Sequence, residues 1–167
     1  GAERQDDGFG GGHDVLSLLR RLREVATPGS SACHTSLQMV GADYPQFTTI
    51  GVVDASGEVA CFGHSAKERY FRDHEVFADA LAAGPAGFVV GKFRIGAVTG
   101  KPIVFAAAPL AAASIGEPAP GIVFVAVDLD RAATDALDYA GSCDAPLTLV
   151  DTRPATHLVP APNHPPC

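Results

Sequence analysis

The sequence predicts an α+β domain: one antiparallel β-sheet covered by helices. Three observations predict it. Apolar residues recur at helical spacing up to Val40, and from Phe47 the pattern changes to β-branched runs. The strand-like runs lie in tandem and are separated by short turn signals, as in hairpins. The run Ile122 to Val127 is apolar on both faces, which marks a central strand.

The elements follow in order. Residues 1–13 are Gly-rich and charged and read as a frayed, disordered N-terminal segment. Asp14 is placed to cap a long first helix carrying Val15, Leu18, Leu19, Leu22 and Val25, and Thr27-Pro28-Gly29 ends it. A second, short helix starts at Ser30 or Ser31, carries Cys33, Leu37 and Val40, and stops at Tyr44-Pro45. Phe47 to Val53 and Val59 to Phe62 form a hairpin. In the turn between them Asp54 can bond its own backbone and Gly57 supplies a positive φ. Lys67 to Ala83 has a helical apolar face of Tyr70, Phe71, Val76, Phe77, Ala80 and Leu81, closed by Gly84-Pro85. Three strands are expected next, at Phe88–Arg94, Ile103–Ala108 and Ile122–Val127, the first two joined through Gly96, Thr99 and Gly100. Asp130 caps a further helix to Tyr139, Leu147–Val150 is a last short strand, and the tail from Pro154 to Cys167 is Pro-rich and irregular. The main domain is therefore 14–140, with 141–167 as a C-terminal strand and tail.

Composition narrows the function. The 167 residues are 47% hydrophobic and 19% charged, a globular balance, and the net charge is −7. A net acidic surface repels phosphate backbones, which argues against nucleic acid as a partner. The longest apolar runs fall short of the roughly 20 residues needed to span a bilayer, and the Gly-rich, charged start does not read as a signal peptide. No nucleophile-elbow, P-loop or zincin motif occurs, so no catalysis is expected.

Four cysteines, Cys33, Cys61, Cys143 and Cys167, lack zinc-ligand spacing. Their even number suggests two disulfides and an oxidising compartment. Three pairings are open, and sequence proximity favours Cys33–Cys61 with Cys143–Cys167. His64, His74 and Glu75 could gather at a metal, but scattered surface histidines are the expected reading; neither metal nor cofactor is expected.

Several segments together resemble the extracytoplasmic Cache sensor domains, also called PAS-like or PDC domains, of bacterial sensor histidine kinases, chemoreceptors and diguanylate cyclases. They are Gly51-Val52-Val53-Asp54-Ala55-Ser56-Gly57-Glu58-Val59, Arg69-Tyr70-Phe71-Arg72 and Gly87-Phe88-Val89-Val90-Gly91-Lys92-Phe93, followed by Thr99-Gly100-Lys101-Pro102, Ala107-Ala108-Pro109 and Gly121 to Leu129. Cys33 and Cys61 also resemble the paired cysteines of one subgroup. The resemblance implies a PAS-like, five-stranded antiparallel sheet with a long N-terminal helix and flanking helices. It implies a periplasmic module of an inner-membrane receptor that binds a small molecule and relays occupancy through its terminal helices. Any kinase or cyclase output lies outside this chain. Leu147-Thr148-Leu149-Val150-Asp151 resembles the opening of a second, membrane-proximal module.

In dicarboxylate-binding relatives an Arg precedes the Tyr-Phe pair by two positions, and a Lys stands two before the Asp of the last strand. Here those positions hold Glu68 and Ala126, and the chain lacks the Trp of the amino-acid-binding pattern. The remaining candidates for ligand contact are Arg69, Tyr70, Arg72, His74, Lys92, Arg94, Thr99 and Lys101. Against that stands the expectation that Arg69 and Arg72 are solvated helix charges and that Lys92 and Arg94 lie on an outward strand face. The Leu-bearing first helix can pair with a second copy or pack on its own sheet. The alternative function is a protein-interaction or dimerisation domain of the same fold without a small ligand.

Overall fold

The computed structural model describes residues 8–20, 22, 25, 29–63, 70–97, 99–134, 149–151 and 158–160. The elements are α1 (Gly8–Leu19), α2 (Ser31–Asp43), β1 (Phe47–Asp54), β2 (Val59–Phe62), α3 (Glu75–Ala82), β3 (Val89–Val90), β4 (Arg94–Ile95), β5 (Pro102–Pro109), β6 (Gly121–Asp128), β7 (Leu149–Asp151) and β8 (Leu158–Pro160). Residues 129–134 are helical.

The sheet is antiparallel throughout and runs β2-β1-β6-β5-β3, with β4 also pairing with β5. β3 and β4 occupy one lane beside β5, so the five expected lanes are present. β6 is buried at every position and sits in the middle, as its two apolar faces require.

Residues alternate between the two faces. One face carries Ile50, Val52, Val123, Val125, Val127, Ala106 and Ala108, and packs with Val15, Leu16 and Leu19 of α1 and Cys33 and Leu37 of α2. The other carries Val53, Ile122, Phe124, Ala107 and Phe105 under Phe71, Val76, Phe77 and Ala80. α1 and α2 thus cover one side of the sheet and α3 the other.

The second helix starts as its sequence indicates. The Ser30 side chain accepts the Cys33 N–H at 3.1 Å, satisfying one of the helix's orphan donors. In the hairpin turn the Asp54 carboxylate accepts from the Ser56 N–H at 2.9 Å and the Glu58 N–H at 3.1 Å, and Gly57 takes φ +88°.

Several expectations are corrected. α1 begins at Gly8, inside the stretch expected to be frayed, so Asp14 is an internal position and not the cap. Its buried stripe uses Leu16, three residues before Leu19 on the same side, while Leu18, one step round from Leu19, is 58% exposed. Within the described part of 67–83 the helix starts only at Glu75: Tyr70 pairs in an isolated bridge with Glu58, and the Phe71 N–H donates to Gly57 O at 2.7 Å. The hairpin therefore claims the backbone of Tyr70 and Phe71 before a helix can. The strand expected over Phe88–Arg94 is split in two. The C-terminal helical segment is capped by Asp128, which accepts the Arg131 N–H at 3.1 Å, two residues ahead of the expected Asp130. The tail contains a strand: Leu158–Pro160 pairs with Leu149–Asp151. Arg69, His64, the helix end to Tyr139 and the Cys143–Cys167 pairing lie outside the described residues.

Candidate ligand-binding site

The split strand builds the site. Val89 and Val90 pair with Ala107 and Ala106, and the lane resumes with Arg94 opposite Ile103. Three residues, Gly91, Lys92 and Phe93, therefore stand opposite two, Val104 and Phe105. This is a β-bulge, one extra residue in one strand. The Gly91 N–H still donates to Phe105 O at 2.7 Å, so the lane stays anchored while the next two residues arch away.

A bulge changes which side the following residues face. By simple alternation from Val90, Arg94 would share the α1 side. Paired with Ile103 it belongs to the α3 side instead. There its guanidinium lies 5.5 Å from the centre of the Phe105 ring and donates to Nδ1 of His74. The His74 ring stacks on Phe71 at 4.2 Å between centroids and meets Phe105 edge-on at 5.3 Å.

These residues border a cavity of about 310 Å³, lined by Asp73, His74, Glu75 and Val76 from the start of α3, by Gly91 to Arg94 from the bulge, and by Phe105 from β5. Its volume is at the lower end of the range usual for small-molecule pockets. The rim carries both signs of charge: Lys92 Nζ lies 2.9 Å from Glu75 Oε2, with both side chains about half exposed. Deeper on the same face, Phe71, Phe105 and Phe124 fill the middle of the sheet, with Phe71 and Phe124 stacked at 4.4 Å. Phe124 can lie flat because Gly51 across the β1–β6 pair has no side chain.

Of the sequence-derived candidates, His74, Lys92 and Arg94 meet at this cavity. Tyr70 and Arg72 do not line it: the Arg72 guanidinium sits 4.9 Å over the Tyr70 ring on the surface. Thr99 and Lys101 belong to the β4–β5 turn, where Thr99 Oγ1 accepts the Lys101 N–H at 3.3 Å. Asp73, Phe93 and Phe105 line the cavity without being among the candidates, and Glu75 enters them only as a possible metal ligand. The glycine at 91, inside a strand pattern, is the sequence signal that could have exposed the bulge. No group of three or more metal-ligating side chains gathers among the described residues.

Another carboxylate lies on the same face of the sheet. Asp128, at the end of β6, is 4% exposed and takes the Lys101 ammonium on Oδ2 at 3.2 Å. Burial pushes its pKa up, but the Arg131 N–H, the Lys101 ammonium and the Asp130 N–H pull harder, so the carboxyl sits below its ordinary value.

No family model matches the sequence, and no curated protein is similar to it at the sequence level. Solved structures are similar in fold. The ligand-binding domain of the Pseudomonas fluorescens chemoreceptor CtaA, in complex with L-serine, superposes with a TM-score of 0.58 at 17% identity over 74% of this chain and 52% of its own. The sensor domain of the Vibrio cholerae histidine kinase DctB gives 0.59 at 17% identity over 74% of this chain and 50% of its own. The ligand-binding domain of the Pseudomonas aeruginosa amino acid chemoreceptor PctC, in complex with GABA, gives 0.59 at 19% identity over 74% of this chain and 57% of its own. The fold is that of a Cache sensor domain. The chain spans about half the length of the sensor domains it matches. Within the Cache fold the bulged lane, the start of α3 and Phe105 provide the polar cavity. No helix among the described residues is long and apolar enough to cross a membrane.

Proposed function

We propose that this chain is the extracytoplasmic sensory domain of a bacterial transmembrane receptor, that it takes a small ligand bearing a carboxylate beside Arg94, and that occupancy is relayed through its terminal helices. The module does no chemistry of its own; output belongs to domains outside it. The observation that carries the reading is the placing of Arg94 on the α3 side of a sensor fold. A strand cation is brought by a one-residue bulge over an aromatic floor and next to His74. A guanidinium in that setting suits a carboxylate, which it can hold with two parallel hydrogen bonds. Lys92 adds positive charge, and Asp73 and Glu75 supply acceptors for an amine. The similar domains of CtaA and PctC hold serine and GABA, both of which carry one carboxylate and one amine. The Cys33–Cys61 disulfide, which ties α2 to β2, fits an oxidising compartment.

The test is a thermal-shift screen of the purified chain against amino acids, carboxylates, amines and nucleosides. A ligand present at a hundredfold excess over its Kd stabilises a domain of this size by about 2.7 kcal/mol, a rise in Tm of about 5–10 °C. A rise confined to carboxylate-bearing compounds supports the proposal. One observation favours a second reading, an interaction domain with no small ligand: Phe71, Phe105 and Phe124 occupy the middle of the α3 face with protein side chains. A flat response in every compound class selects that reading.

A further inference from the structure

The cavity and the start of the C-terminal helical segment share one row of the sheet. Arg94 pairs with Ile103, and Ile103 pairs with Asp128. Directly opposed residues of an antiparallel sheet project from the same face, so Arg94 and Asp128 belong to the α3 side, two strand spacings or about 10 Å apart. At one end of this row Arg94 contacts His74 at the cavity. At the other, the two carboxylate oxygens of Asp128 divide their work. Oδ1 accepts the Arg131 N–H and so caps residues 129–134, while Oδ2 accepts the Lys101 ammonium.

Lys101 closes the circuit. It lies on the turn that leads out of β4, and two backbone hydrogen bonds hold that turn. The Gly96 N–H donates to Lys101 O at 2.8 Å, and the Gly100 N–H donates to Gly96 O at 2.8 Å with Gly100 at φ +68°. A displacement of Arg94 thus moves a two-residue strand and, through this tight turn, the backbone that carries Lys101. The bulge leaves β4 attached to β5 at only two positions, Arg94 and Ile95, so this ribbon is lightly held.

Resting on the sensory reading above, the geometry points to a latch: the Lys101–Asp128 pair couples the position of Arg94 at the cavity to the capping of the helical segment that leaves the sheet. With the latch closed, Asp128 holds both the turn and the Arg131 N–H. When β4 shifts, Lys101 withdraws from a carboxylate that is almost fully buried. That carboxylate then turns towards water and releases the first turn of the segment. The cap is the two-state element, and both the cavity and the outgoing helix bias it.

The experiment reads amide hydrogen exchange by NMR on the whole chain without added ligand, in wild type, Lys101→Met, Arg94→Met and the double variant. Lys101→Met is expected to lower protection of the Arg131 amide about fivefold, the size of a lost cap. Arg94→Met is expected to lower it in the same direction, and the double variant is expected to go no further than Lys101→Met alone. The Val125 amide in β6 is expected to keep its protection in all four. The latch is overturned if Arg94→Met leaves Arg131 unchanged, if the two effects multiply, or if Val125 falls by the same factor as Arg131. Because no ligand is added, failure here leaves the outcome of the thermal-shift screen untouched, and a flat screen leaves this coupling measurable.

Discussion

Phe124 occupies the space that any side chain at Gly51 would need. A Cβ built on Gly51 falls 2.5 Å from the edge of the Phe124 ring, closer than real atoms approach. The two residues face each other across the β1–β6 ladder, and the ring is stacked on its other side against Phe71. Gly51→Ala is therefore expected to destabilise the chain by about 1–3 kcal/mol through overpacking. Urea denaturation measures it. A variant within 0.5 kcal/mol of wild type would mean that the aromatic stack moves freely.

Cys33 and Cys61 are both fully buried, and their bond joins positions 28 residues apart. In the loop-entropy model such a crosslink contributes about 3.5 kcal/mol. The double variant Cys33→Ala, Cys61→Ala is expected to lose that much by chemical denaturation. Reductant added to the folded protein is expected to act slowly, and quickly once urea opens the core, which a thiol-labelling time course checks.

Asp54 and Asp128 carry carboxyls held below their ordinary 3.8. At Asp54 burial opposes ionisation, but the Ser56 hydroxyl and the Glu58, Ser56 and Gly57 N–H groups outweigh it. The folded chain binds protons less readily than the unfolded one at both sites. Their stabilising effect is therefore whole above the unfolded value and is lost as the pH falls through the lower, folded values. Asp128→Asn is expected to be less stable than wild type at pH 7, with the gap narrowing at pH 3. Urea midpoints at the two pH values provide the measurement. A gap independent of pH would show that the charge of Asp128 contributes nothing.

Arg94 is exposed apart from its contacts with His74 and Phe105, so Arg94→Met is expected to change the Tm of the unliganded chain little. The same variant is expected to abolish the Tm rise produced by any carboxylate found in the screen. A rise of undiminished size in Arg94→Met would move the binding site elsewhere on the domain.

Much of the fold was legible because the signals were local. Ser30 reads as a cap and Tyr44-Pro45 as a stop. Asp54 to Gly57 reads as a turn, and the two-faced run at Ile122 to Val127 reads as a central strand. The pairing Cys33–Cys61 followed from proximity and from the family resemblance. What failed to read depended on contacts distant in sequence. Tyr70 and Phe71 fit a helical stripe with Val76 and Phe77, but Phe71 donates its N–H to Gly57 O and reaches the core from a non-helical stretch. Leu16 and Leu18 are equally apolar, and only the position of the sheet decides which is buried. The site was half visible. His74, Lys92 and Arg94 stood out as polar residues near strand signals, yet the side to which Arg94 points is set by a register that no single-strand pattern contains.

The extra residue between Val90 and Arg94 makes the shape of the cavity depend on counting. Removing any one of Gly91, Lys92 or Phe93 would let the lane pair without interruption and leave Arg94 opposite Ile103 on the same side, but the arch that borders the cavity would be gone. A three-nucleotide deletion here would thus flatten the edge of the cavity while Arg94 kept its place, and an insertion of equal length in the same stretch would rebuild it.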